Sequence, residues 1–199
     1  MSIVSRVTNI ALRPKEEWPV IAAETTTTAG LYTGFIVPLL LIGPLCSFLS
    51  ALVFGQRIPF TGVAVRPAAG TLIAMLVVSF VLGLIAIALT AFIVQKLAPT
   101  FQSQGTFTQS LQLVAYSEAP FWVSGVLYLI PFLGVLTIFV ALYGLYLAYL
   151  GLPVMMKTPA DKVIPYLVVV IVVTVILWFL VAAVSGAIIG ASLMVSSIS

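Results

Sequence analysis

Long runs of apolar residues dominate the chain and set its expected architecture. Five of them approach the roughly 20 residues that a helix needs to cross a hydrocarbon core about 30 Å thick. Within each run the apolar side chains are continuous rather than alternating, which favours helices over barrel strands. The pattern predicts an all-α integral membrane protein with a five-helix transmembrane bundle. The predicted spans are residues 31–54, 68–94, 109–130, 132–152 and 164–189.

A turn, rather than a charged loop, is expected between the third and fourth spans. No charged residue occurs from Ala119 to Met156. One straight helix over residues 109–152 would be about 66 Å long, twice the thickness of the core. Pro131 removes a backbone donor and Gly134 permits a tight reversal, so we expect two antiparallel helices. The alternative is a weakly polar third segment that lies at the interface, which would leave four spans.

Residues 1–30 predict an interfacial N-terminal arm that begins with a short amphipathic helix. At about 100° per residue, one side of this helix is apolar and the other is polar. The apolar side holds Ile3, Val4, Val7, Ile10 and Ala11, and the polar side holds Ser5, Arg6, Thr8, Asn9 and Arg13, with Leu12 misplaced. Such a helix would lie at the headgroup level, with Arg6 and Arg13 attracted to anionic lipid. The alternative is a frayed terminus, because eleven residues are marginal as an isolated helix.

A second short helix is expected to begin at Pro14, since proline is favoured in the first turn of a helix. Trp18 would follow as an anchor at the membrane interface. Residues 31–190 then form the transmembrane bundle, and residues 191–199 form a short polar tail.

Lysine and arginine are distributed unevenly between the two predicted sides of the membrane. The arm and the loops at residues 95–108 and 153–163 hold six of them, and the opposite side has only Arg57 and Arg66. The positive-inside rule therefore predicts a cytoplasmic N-terminus and a C-terminus outside. The first apolar run begins some thirty residues into the chain and is too long for a usual signal sequence, so no cleavable signal peptide is expected.

The composition excludes most soluble functions. The chain of 199 residues is 62% hydrophobic and 7% charged, whereas soluble domains average about 45–50% and about 25%. It contains five acidic residues and no histidine, which leaves little material for a catalytic, cofactor or metal site. A net charge of +3 is too small and scattered for nucleic-acid binding. We expect a membrane protein that is not an enzyme and needs no cofactor.

Glu118 is the only ionisable residue well inside a predicted span. A carboxylate in hydrocarbon is unfavourable, so this group should be neutral, paired or close to water. It could serve a proton or ion relay. It could instead bond a backbone carbonyl, because Pro120 deprives the carbonyl of Tyr116 of its helical partner.

The loop at residues 153–163 has the clearest local pattern. Thr158 is expected to cap a helix that starts at Pro159, with Asp161 in its first turn. Pro165 would then bend the chain into the fifth span. Small residues at spacings of three and four in the last two spans predict close packing of helices, within one chain or alternatively in a homodimer. They are Ala141, Gly144, Ala148, Gly151, Ala182, Gly186 and Gly190.

Three stretches of the sequence occur in an order that resembles a known family. They are residues 115–120 (AYSEAP), residues 142–147 (LYGLYL), and residues 151–166, which run from GLP through KTPADK to a tyrosine. This set resembles the YIP family, the Ypt/Rab-interacting membrane proteins and their prokaryotic relatives. The resemblance implies five spans and a cytoplasmic N-terminus. The short arm is similar to that of small bacterial inner-membrane members. The candidate functional or structural residues are Tyr116, Glu118, Pro120, Gly151, Pro153, Lys157, Thr158, Pro159, Asp161, Lys162 and Tyr166.

Two classes of function fit these features. The first is a membrane scaffold or adaptor that binds a membrane-protein partner or organises lipid through the arm and the 153–163 loop. The second is a small transporter or channel with Glu118 in a polar pathway. A cavity that reaches Glu118 from both faces would favour transport, and a packed bundle with an ordered, charged cytoplasmic surface would favour the adaptor.

Overall fold

The structure, a computed structural model, describes residues 2–57 and 64–198, and it is helical along most of that length. Nine α-helices follow one another in the described part of the chain. They are α1 (Ile3–Leu12), α2 (Pro14–Ala23), α3 (Thr28–Leu31), α4 (Val37–Leu40), α5 (Ile42–Phe54), α6 (Ala69–Leu97), α7 (Phe107–Ser124), α8 (Thr137–Met155) and α9 (Val163–Ile198). A short antiparallel ribbon joins α5 to α6, with β1 (Gln56–Arg57) paired to β2 (Ala64–Val65).

Four helical segments of the described chain are long and apolar enough to cross a membrane. They are Thr28–Phe54, Ala69–Phe101, Leu133–Met155 and Val163–Ile188. The prediction of an all-helical, multi-pass membrane protein is confirmed. The backbone of α9 continues to Ile198, through most of the stretch predicted as a polar tail.

Prolines divide the first apolar segment into short pieces. A π-helical turn at Tyr32–Ile36 precedes Pro38, and a turn at Leu41 separates α4 from α5 three residues before Pro44. A proline cannot donate a backbone hydrogen bond to the preceding turn, and its ring crowds that turn. The helix therefore widens or breaks upstream of each proline, as kinks of this kind usually do.

Helix α7 lies at the centre of the bundle, where the third span is predicted. Every residue from Ser110 to Ser117 is buried. The helix packs antiparallel to α8, so that Gly144 lies against the carbonyl of Ser117 and Gly151 against Leu113. Polar residues such as Gln112 reduce the apolar character of α7, and α7 is absent from the four segments above because of this composition.

The arm is folded onto the bundle, which corrects two predictions. Helices α1 and α2 form as expected, with Ser2 capping the first and Pro14 starting the second. Arg6, however, is only 6% exposed and does not face the headgroups, and Trp18 is fully buried and is not an interface anchor. Both side chains find partners inside the protein that one helical wheel cannot show. Arg13 and the apolar side chains of Val4 and Leu12 remain exposed.

Candidate functional site

A buried ion-pair cluster joins α1 to α2 and to Glu24, the residue that follows α2. The guanidinium of Arg6 donates from Nη1 to Oε1 of Glu17 at 2.5 Å and from Nη2 to Glu24. The side chains of Arg6 and Glu17 are each 7% exposed, whereas that of Glu24 is 37% exposed. The Arg6 guanidinium also lies 5.7 Å from the ring centroid of Tyr116 on α7. Because a buried charge without a partner is strongly unfavourable, these contacts fix α1 in one position.

The electrostatics of the cluster favour a charged Arg6. Burial disfavours the charged form, but the hydrogen bond and the charge of Glu24, together with Tyr116 and Glu17, outweigh it and raise the pKa of Arg6 above its ordinary value. Arginine is already protonated at every physiological pH. Arg6 therefore supplies a constant positive charge to the cluster.

Trp18 connects α2 to α7 and α8. Its indole Nε1–H donates to the carbonyl of Leu147 at 3.1 Å, and its ring meets that of Tyr116 edge-on, with 6.5 Å between centroids. On its other side the Tyr116 ring packs against Phe35, at 4.6 Å. The indole fits against α8 because residue 151 is glycine: a Cβ there would lie 2.7 Å from Trp18.

Adding that Cβ tests the fit directly. Gly151→Ala is expected to lower stability by up to about 2 kcal/mol, because the overpacking cost of about 1–3 kcal/mol exceeds the gain of about 1 kcal/mol in helix propensity. Thermal unfolding in detergent measures the change. Gly186→Ala on α9 is the matched control, since nothing lies within 4 Å of its Cβ position. A control that loses as much stability as Gly151→Ala would contradict the packing argument.

The two connectors that follow α6 and α8 are bonded to each other. The backbone N–H of Gln104 donates to the carbonyl of Met156 at 2.7 Å, and the hydroxyl of Ser103 donates to that of Thr158 at 2.9 Å. The ring of Tyr166 stacks on Phe101 at 4.6 Å. A capping box at Thr106 then starts α7. These bonds hold both connectors as one surface.

Thr158 does not cap a helix, which corrects a prediction. Residues 159–162 form a single turn, closed by a bond from the Lys162 N–H to the Pro159 carbonyl, and α9 begins at Val163. The Thr158 hydroxyl is used by Ser103, a distant residue that the local pattern cannot reveal. Lys157 adopts a positive φ of 51°, which lets the chain leave α8 sharply.

Glu118 lies on the opposite side of α7 from the arm. Its half-buried side chain lines a cleft of about 570 Å³ between α8 and α9, with α6 and α7 behind. Thr90 of α6 and Thr174 of α9 line the same cleft. The adjacent Ser117 hydroxyl is buried and has no hydrogen-bond partner among the residues described. Three helices therefore place polar residues in the same cleft as Glu118.

Comparison with protein families places the whole bundle in one of them. A family model named Yip1 domain matches residues 8–194. The chain belongs to the Yip1 domain family. No curated protein and no solved structure matches it.

In this Yip1-domain chain the motifs that suggested the family fall into two groups. Tyr116 and Gly151 meet around Trp18, and Thr158 and Tyr166 hold the connectors. The two prolines belong to neither group: Pro120 lies inside α7 and Pro153 inside α8. Lys157 and Asp161 are exposed beside the connectors, and Asp161 Oδ2 is 3.4 Å from Lys162 Nζ. Glu118 stands apart from both groups.

The sequence reasoning missed the Arg6 cluster of the Yip1 domain. Glu17 and Glu24 are seven residues apart, so they lie on one side of a helical stretch and could have been matched to Arg6. Thr90 and Thr174 gave no signal, because single threonines are unremarkable in apolar helices.

Proposed function

We propose that this Yip1-domain protein is a non-enzymatic membrane scaffold or adaptor. Its working surface is the cytoplasmic platform, defined as the arm together with the connectors at residues 98–106 and 156–162. The observation that carries the proposal is the ordered arm. The Arg6 ion pairs join α1 to α2, and hydrogen bonds from Trp18 to Leu147 and from Tyr143 to Ala11 hold the arm against α8. An ordered, charged surface suits recognition of a partner, because little conformational entropy is lost on binding.

The exposed charges of the platform indicate which partners it suits. Arg13 and the lysines are available to anionic lipid headgroups or to an acidic protein surface, a role that the buried Arg6 cannot fill. The exposed or half-buried charged residues of the platform are Arg13, Lys15, Glu16, Glu24, Lys157, Asp161 and Lys162. A membrane-protein partner, including a second copy of the chain, remains part of the proposal.

Reversing charge on the platform tests the adaptor role. The double variant Lys157→Glu/Lys162→Glu should lose most of the partners that chemical cross-linking captures in native membranes, because these two lysines lie outside the buried contacts. Arg66→Glu is the matched control, since Arg66 is also exposed but follows the ribbon at the other end of the bundle. Quantitative mass spectrometry compares the captured proteins. Equal capture by all three forms would contradict the proposal.

We further propose that α7 crosses the membrane as a fifth span. It meets the first segment at two levels, with the hydroxyls of Thr28 and Thr108 3.1 Å apart at one end and Gly125 packed on Gly43 further along. Its 18 residues and the 3₁₀ turn Gly125–Leu129 together extend about 37 Å, which exceeds the core of about 30 Å. Neighbouring helices shield its polar side chains from lipid.

Five crossings place the two termini on opposite sides of a membrane, which we propose to be the bacterial inner membrane with the N-terminus in the cytoplasm. Reporter fusions before Met1 and after Ser199 should therefore be active in opposite compartments. A sandwich fusion within residues 58–63 serves as a control and should report the same side as the C-terminus. Termini on one side would mean that α7 does not cross.

The alternative is a small transporter with Glu118 in its pathway. The cleft at Glu118 is lined mainly by apolar side chains, with a few hydroxyl groups among them. This lining favours an apolar occupant over ions or a water wire. Proton flux into reconstituted vesicles that disappears in Glu118→Gln would overturn the adaptor proposal.

A further inference from the structure

The cleft at Glu118 has the size and shape of a binding site for a long apolar molecule. Its volume of about 570 Å³ lies within the range of about 300–1,000 Å³ for ligand pockets. Along α8 it extends from Thr137 to Leu152, about 22 Å at about 1.5 Å per residue. Its side walls are mostly aliphatic residues of α8 and α9, which suit a hydrocarbon chain.

Polar groups interrupt this apolar lining near the middle of the membrane. Glu118 is eleven residues into α7 from Phe107, about 16 Å along a core of about 30 Å. The hydroxyls of Thr90 and Thr174 lie in the same cleft, and the unpartnered Ser117 is part of its wall. A buried polar group without a hydrogen bond is unfavourable, so an occupant that supplies acceptors at this depth would be favoured.

The depth of these polar groups in the membrane and the cost of burying a charge there limit which ligands can bind. A charged headgroup at mid-membrane is costly, and the ester groups of glycerolipids lie near the interface, so a phospholipid would bring only its chain to Glu118. A neutral carboxyl group and a hydroxyl both donate hydrogen bonds, which suits carbonyl oxygens on the ligand. Phe121 and Trp178, which meet edge-on with ring centroids 5.6 Å apart, add aromatic surface beside these donors.

We propose that the cleft binds a neutral, membrane-soluble molecule of the quinone class. Its flat ring would lie against the exposed Trp178, with carbonyl oxygens accepting from Glu118 and its hydroxyl neighbours. Its apolar chain would follow the groove between α8 and α9. This site is independent of the cytoplasmic platform, but its depth rests on the proposal that α7 crosses the membrane.

Saturable quenching of tryptophan fluorescence tests the site, with the full chain in lipid nanodiscs and decylubiquinone as the probe. Trp178 lines the cleft and is 42% exposed, so a quinone bound there should quench it. Ala141→Phe fills the cleft from α8, and Ala182→Phe, on an exposed position of α9 outside the cleft, is the matched control. Glu118→Leu removes the hydrogen-bond donor at this position, whereas Glu118→Gln keeps one.

We expect saturable quenching. Ala141→Phe should weaken the apparent affinity for the quinone by at least about tenfold, which corresponds to about 1.4 kcal/mol of binding free energy. Ala182→Phe should leave the affinity within about twofold of the original. Glu118→Leu should weaken binding about fivefold, the effect of one neutral hydrogen bond, and Glu118→Gln should weaken it less. Quenching that never saturates would overturn the proposal. So would full recovery of the fluorescence when hexadecanol is added at the same concentration as the quinone, because the cleft would then accept any lipid chain. If Ala141→Phe does not fold, the Glu118 pair decides.

Discussion

Arg6→Ala is expected to release α1 from α2 and from Tyr116 of α7. Removing the arginine leaves Glu17 with a side chain 7% exposed and without its cation. Breaking a buried pair in this way costs about 3–5 kcal/mol, more than a short arm can recover from its other contacts. Limited proteolysis within residues 1–24 should therefore become much faster. Thermal unfolding in detergent should fall at the same time.

Three companion variants separate the buried charge from other effects. Glu24→Gln should cost about 1 kcal/mol or less, because its side chain is 37% exposed and its ion pair is screened by water. Arg13→Ala should change stability by less than about 0.5 kcal/mol, as most exposed substitutions do. Arg6→Met/Glu17→Met should recover much of the loss, since apolar replacement of a buried pair is often neutral. Equal effects of Arg6→Ala and Arg13→Ala would contradict the role assigned to the cluster.

Trp18→Ala is the second large effect that we expect. The indole is fully buried between α2 and α8, and its removal deletes both the packing and the hydrogen bond to Leu147. Large aromatic-to-alanine changes in cores cost about 3–5 kcal/mol. The same proteolysis and thermal unfolding measurements should report release of α2.

A graded series identifies what Trp18 contributes. Trp18→Phe keeps most of the packing and loses the hydrogen bond, so it should cost about 1–2 kcal/mol. Trp178→Ala is the control for tryptophan content, because Trp178 is 42% exposed and touches neither the arm nor α8's Leu147 carbonyl. A Trp18→Ala variant as stable as Trp178→Ala would show that the arm is not held through this residue.

Local patterns in the sequence are sufficient to predict the helices but not how the arm is placed. The five apolar runs, Pro14 at the start of α2 and the breaks near Pro38 and Pro44 depend on neighbouring residues and on the bilayer, so they are accessible from sequence. The helical wheel of α1 also identified a real helix. It could not show that Arg6 turns towards Glu17, because that contact depends on the angle between α1 and α2.

The candidate sites show the same division between local and distant contacts. Glu118 is recognisable from the sequence as a carboxyl group inside a predicted span. No other charged residue lies near it in the sequence, which suggests that it has no polar neighbours. Thr90 and Thr174 join it only because α6 and α9 pack beside α7. Thr158 was assigned to a local cap because Pro159 follows it, whereas its partner is Ser103, fifty-five residues earlier. Long-range pairs of this kind require the fold.

A distance measurement between the arm and the connector at residues 156–162 shows whether the platform is fixed. Spin labels at Leu12 and Lys157, both exposed, can be introduced by cysteine substitution with Cys46→Ser and measured by double electron–electron resonance in nanodiscs. We expect one narrow distribution of the distance between the two labels. It should broaden in Arg6→Ala and should not change in Arg66→Glu. A broad distribution with Arg6 in place would mean that the arm is not part of a fixed platform, and the adaptor proposal would lose its main support.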